Sequence, residues 1–174
     1  MTSAGDDKVL ILFRHAKAEQ VPGKPDRDRE LTNRGRRDAA AAGHWLHDNG
    51  FGPELVLCSP AVRTRQTWEA AADGGACGEQ VDFDTRLYSG GADGVLQAVR
   101  ESGGEAQVVL VVGHNPTMAT LASGLSEGDG STAAHECLAA GFPTSSLAVL
   151  HYSGPWRDLV FGSASLLRCH VSRG

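Results

Sequence analysis

Three short runs of this 174-residue chain are apolar almost without interruption: VLILF at 9–13, ELVLC at 54–58 and VVLVV at 108–112. A strand with one wet face alternates apolar and polar residues, whereas a continuous Val/Ile/Leu run is covered on both faces. Longer, alanine-rich stretches of helical character separate the runs. The pattern predicts an α/β domain built on a mainly parallel sheet. SLAVLHY at 146–152 and DLVFG at 158–162 predict two further strands, joined as a hairpin through SGPW. VDFD at 81–84 is a weaker strand candidate.

The helical stretches carry their own punctuation. NRGRRDAAAAGHWLHDNG follows Thr32, a natural N-cap, and stops at Asn49-Gly50. SPAVRTRQTWEAAADGG offers Ser59 as N-cap and Pro60 at the first helical position, and closes on Gly74-Gly75. NPTMATLASGL repeats that start with Asn115 and Pro116, and ADGVLQAVRESGG predicts another helix. Residues 126–142 predict a loop leading into a short helix.

The chain has the length of one domain, taken as residues 1–174, with residues 1–7 as a flexible N-terminal tail. A net charge of −5 argues against general attraction to nucleic acid or anionic membrane. The apolar runs are too short to span a bilayer, and MTSAGDDK lacks a signal-peptide pattern, so a cytoplasmic protein is expected, as a monomer or weak dimer. Cys58, Cys77, Cys137 and Cys169 are far apart in sequence with no C-x-x-C pair, which predicts reduced thiols.

The polar residues fall where the apolar runs end. VLILF exits into Arg14-His15, ELVLC into Ser59-Pro60 and a helix carrying Arg63, and VVLVV through Gly113 into His114 and Asn115. In a parallel sheet these carboxyl ends share one edge, where open α/β sheets bind ligands. Two of the exits also meet a helix start, which favours an anion. Two arginines and two histidines without an obvious balancing carboxylate predict a site for a multiply charged anion, of which phosphate is the usual one. Arg65 is rotated roughly 200° from Arg63 around a helix, so only Arg63 faces this edge. Ser59, Asn115 and Lys17 are candidate substrate contacts, although a solvated ammonium is an equally good reading of Lys17. His44, His47 and Asp48 share a helix face, but one helix offers too few ligands for a closed metal site. Arg34, Arg36 and Arg37 read as a solvated face or as a dock for an acidic phosphoprotein.

Four segments carry a family resemblance. LFRHAKA resembles the R-H-G or R-H-A signature of the histidine phosphatase superfamily, and RELTNRGRRDA resembles the L-T-x-x-G-x-x-x-A segment that follows it. CSPAVRTRQT is similar to its S-x-x-x-R-x-x-Q-T element and VVGHNPTM to its second G-H motif, in the same order from about residue 8 to 125. The R-H-A-K and G-H-N-P forms, with the tail PTSSLAVLHYSGPWRDL, resemble the small phosphohistidine phosphatase branch. The resemblance implies a phosphoglycerate mutase-like, three-layer α/β/α sandwich. It implies His15 as phosphate acceptor, Arg14, Arg63 and His114 as the phosphate pocket, and no metal or other cofactor. The implied partner is a phosphohistidine-bearing protein or a small phosphorylated metabolite.

One departure bears on substrate. Where many superfamily members carry an acid for the leaving oxygen, this chain has Tyr88 and Ser89, with Asp84 and Asp93 nearby but off the pattern, and with Glu19 or Asp93 left as acids that could approach in space. A P–N bond needs less acid help than an alkyl ester, which favours phosphohistidine. A broad phosphomonoesterase and a phosphate-binding module without turnover are the alternatives.

Overall fold

The computed structural model describes residues 6–174. Six strands form one sheet: β1 (Asp7–Arg14), β2 (Leu55–Cys58), β3 (Gln80–Phe83), β4 (Val108–Gly113), β5 (Ser146–Ser153) and β6 (Ala164–Val171). Their spatial order is β3-β2-β4-β1-β5-β6. The first four are mutually parallel, and β5 runs antiparallel to both of its neighbours, β1 and β6. The helices are α1 (Asn33–Asp48), α2 (Val62–Asp73), α3 (Arg86–Ser89), α4 (Gly91–Ser102), α5 (Thr117–Ser126) and α6 (Thr132–Ala140).

The continuous apolar runs are explained by what covers them. Leu10, Leu12, Val109 and Val111 face a core built with α4 and α5. Ile11, Phe13, Leu110 and Val112 face the opposite core, built with Ala42 and Leu46 of α1 and Trp68 and Ala71 of α2. Both pleat faces of the central strands are therefore dry, which gives the expected three layers. Close approach is purchased with glycine: a Cβ on Gly43 of α1 would sit 1.8 Å from the Ala71 carbonyl oxygen of α2. At the start of the same helix, a Cβ on Gly35 would lie 2.1 Å from the Lys17 carbonyl oxygen, so α1 presses on the segment leaving β1.

Several boundaries differ from expectation. Residues 158–162 are not a strand: they follow a 3-10 turn at Trp156–Asp158, and Val160 and Phe161 face solvent. The partner of β5 is β6, later in the chain. Of the apolar residues in DLVFG only Leu159 is buried in the core. The expected tail overlaps β1, where Asp7 pairs with Ser153; Met1–Gly5 lie outside the described residues. Helix α2 starts at Val62, with Ala61 rather than Ser59 as N-cap. The Ser59 hydroxyl has another partner, described below. Thr32 does cap α1, accepting from the Gly35 amide at 3.0 Å.

Candidate active site

Strand β1 delivers His15 to the lip of the sheet. Its amide donates to the Gly113 carbonyl of neighbouring β4 at 3.0 Å, which fixes the backbone beside the exit of that strand. The imidazole is 8% exposed, and its Nδ1 lies 2.8 Å from the Ala16 carbonyl oxygen. A carbonyl only accepts, so Nδ1 carries the proton and the Nε2 lone pair is left uncommitted. The next amide, of Ala16, donates to the Thr67 hydroxyl at 3.0 Å, which in turn donates to the Arg63 carbonyl at 2.6 Å. One hydroxyl thus ties the β1 exit to α2.

Arg63 and His114 meet above this point. The rings of His15 and His114 are 5.3 Å apart between centroids. Arg63 Nη2 donates to His114 Nδ1 at 3.2 Å, so His114 carries its proton on Nε2 and donates it to Ser59 Oγ at 2.8 Å. Arg14 Nη1 donates to the Phe142 carbonyl at 3.0 Å. The Nε–H groups of Arg14 and Arg63 are buried without a hydrogen-bond partner. Two guanidinium groups lining one cleft with a free imidazole nitrogen suit a bound oxyanion. The cleft lined by Arg14, His15, Lys17, Arg29, Arg63 and His114 has a volume of about 310 Å³.

A carboxylate absent from the sequence reading completes the network. Asp26, in a 3-10 turn at Asp26–Asp28, accepts from Arg63 Nη2 at 3.0 Å, from Tyr88 Oη at 2.7 Å and from Arg29 Nη1 at 3.0 Å. Its own backbone carbonyl accepts from Arg63 Nη1 at 2.7 Å. In KPDRDRE it is one charge among six and reads as a solvated loop. Its partner Tyr88 stands where many superfamily members carry an acid. Of the other acids considered, Asp84 pairs with Arg86, Glu19 pairs with Lys24, and Asp93 is exposed on α4.

The electrostatics follow from burial and pairing. Burial pushes His15 down to about 3, with the charges of His114, Arg63 and Arg14 adding to the effect. Burial and Arg63 push His114 down to about 4. Both imidazoles are therefore neutral at pH 7 in the free protein. The Tyr88 hydroxyl, followed by Arg29 and Arg63, holds Asp26 far below the usual carboxylate range, so it carries no proton to give.

The remaining expected contacts divide. Ser59 is fully buried behind His114 and is a positioning group, not a substrate contact. Asn115 borders the cleft, but its amide donates to the Phe142 carbonyl at 2.8 Å and its oxygen accepts from the Ala119 amide at 3.3 Å. It braces the wall. Lys17 is exposed at the rim. Arg65 turns away as expected, with its guanidinium 4.1 Å over the Phe83 ring. Among the described residues no group of three or more His, Cys, Asp or Glu side chains is placed to hold a metal ion; His44 pairs with Asp48 instead.

Comparison with known proteins agrees with this geometry. Residues 10–89 match the histidine phosphatase superfamily (branch 1). A structure from Nakamurella multipartitia, provisionally named phosphohistidine phosphatase SixA, is 35% identical with a TM-score of 0.84, and the match covers 99% of both chains. The chain belongs to the histidine phosphatase superfamily. As a member it is a hydrolase of the phosphatase class, with the phosphoglycerate mutase-like fold. A second superfamily structure, from Agrobacterium tumefaciens under the same provisional name, is 30% identical with a TM-score of 0.74, covering 94% of this chain and 97% of that one. An uncharacterised protein of Mycobacterium tuberculosis is 40% identical over 163 residues, 92% of this chain and 100% of its own length.

Proposed function

We propose that this phosphatase removes the phosphoryl group from phosphohistidine in a protein, through a phosphorylated His15. The observation that carries the reading is the His15 ring itself, with Nδ1–H fixed on the Ala16 carbonyl and Nε2 bare, neutral and facing the cleft.

In the first step the Nε2 lone pair attacks phosphorus in line while the substrate P–N bond breaks. A phosphoimidazole protonated on its remote nitrogen leaves as neutral imidazole and takes no proton from the enzyme. In the second step water attacks the phosphoryl group and the P–Nε2 bond breaks. His15 then departs as a neutral ring, because Nδ1 has kept its proton throughout. The surplus proton of the water passes to phosphate or solvent. Arg14 and Arg63 meet the charge that develops on the equatorial oxygens, with His114 beside them. No step is assigned to a metal ion.

Asp26 supports the P–N substrate over an alkyl ester. The carboxylate bonded to Arg63 is ionised and triply held, so it is a poor acid for an alkoxide leaving group. The provisional names of the two SixA structures point the same way.

The test is turnover of a phosphohistidine protein and of phosphoramidate, in chelator, beside a panel of phosphomonoesters. We expect P–N substrates to lead and His15→Ala to lower turnover by about 10³-fold or more. A labelled phosphoenzyme, acid-labile and base-stable, should accumulate in the wild type alone. Undiminished turnover in His15→Ala overturns the mechanism; faster phosphomonoester hydrolysis overturns the substrate and leaves the mechanism standing.

A further inference from the structure

Sequence spacing predicts four separate reduced thiols, yet the fold brings two of them into contact. Cys137 on α6 and Cys169 on β6 have their sulfurs 2.7 Å apart, and Cys137 Sγ also lies 3.3 Å from the Cys169 carbonyl oxygen. Both side chains are half-buried, within reach of a small oxidant, whereas Cys58 is fully buried and Cys77 stands alone on the surface. A disulfide has its sulfurs about 2.05 Å apart, so the pair needs to close by only about 0.7 Å.

We propose that Cys137 and Cys169 are a reversible dithiol–disulfide site, oxidised by hydrogen peroxide, that fastens α6 to the edge of the sheet. One thiolate attacks a peroxide oxygen, the O–O bond breaks, and a sulfenic acid forms as hydroxide leaves. The second sulfur attacks the sulfenic sulfur, the S–S bond forms and the S–O bond breaks, releasing water. The balance is two thiols and one peroxide to one disulfide and two waters. Burial and the neighbouring Cys137 push the Cys169 thiol up to about 12.

The position of the pair gives the bond a purpose. Helix α6 fully buries only Ala134, so the core holds it weakly. Five residues after Cys137 comes Phe142, whose carbonyl receives both Arg14 and Asn115. Ser145, a little further on, donates its amide to the His15 carbonyl and accepts from the Ser172 amide just beyond β6. A bond between α6 and β6 therefore closes a 33-residue loop around the wall that holds Arg14.

The test treats the full chain with a slight excess of hydrogen peroxide, alkylates it, and maps peptides without reductant. We expect a Cys137–Cys169 cross-link lighter by two hydrogens, reversal by dithiothreitol, and a melting temperature about 5–10 °C above the reduced form. Cys137→Ser and Cys169→Ser should each abolish both the cross-link and the shift. An unlinked pair after Cys77 has been oxidised, or a cross-link with no rise in melting temperature, overturns the proposal. None of these readouts depends on the phosphohistidine reading.

Discussion

The two halves of the sheet do different work. In the parallel half, β3-β2-β4-β1, the carboxyl ends converge, so one edge collects His15, Ser59, Arg63 and His114. In the antiparallel half, β5-β6, neighbouring strands reverse and no edge gathers strand exits. That half supplies the wall instead, through Phe142, Ser145 and the weakly buried α6. Parallel topology concentrates chemistry at one edge, and the antiparallel extension holds it in place. The two regions should therefore respond differently to substitution.

The largest contrast is expected at Arg63. Arg63→Ala removes a preorganised fork and should lower kcat/KM by about 10²–10³-fold, measured on phosphoramidate. A loss below about 5-fold would mean that Arg14 and His114 carry the anion without it. Leu166 in β6 is fully buried and does not line the cleft, and Leu166→Ala should cost about 2–5 kcal/mol in denaturant unfolding. Its folded fraction should keep kcat/KM within about 2-fold. A large activity loss there would erase the distinction between chemistry edge and supporting wall.

The smallest expected effect is a slope. His15 titrates near 6.5 when unfolded and near 3 when folded, so between these values the unfolded chain binds more protons. Stability is then fully present above pH 6.5 and is lost as pH falls toward 3. His15→Asn should flatten that loss by about 1 kcal/mol per pH unit between pH 6 and 4, read from urea midpoints. An unchanged slope would place the acid sensitivity elsewhere.

The same contrast governs what the sequence made legible. Continuous apolar runs marked β1, β2 and β4 because double-sided burial leaves an unbroken signal. Their polar exits marked His15, Arg63 and His114 because parallel strands share an edge. In the other half β5 was legible as SLAVLHY, but its partner was not: exposed Val160 and Phe161 read as a strand, while β6, with Leu167 and Arg168 facing solvent, did not. Asp26 was hidden because its importance comes from where a short turn folds back, over Arg63 and Tyr88, and not from its neighbours in sequence. Cys137 and Cys169, 32 positions apart, were hidden for the same reason. Ser59 resembles a helix cap in sequence because nothing local shows that the imidazole just past β4 claims its hydroxyl.

Thr67 sets a dimension of the cleft. A single oxygen receives one amide from the strand tip and returns a proton to the helix carrying the guanidinium. Nucleophile and clamp are thus spaced by bond lengths rather than by the slack of a loop. Phosphoryl transfer is decided over fractions of an ångström, and here that tolerance rests on an uncharged hydroxyl sealed from water.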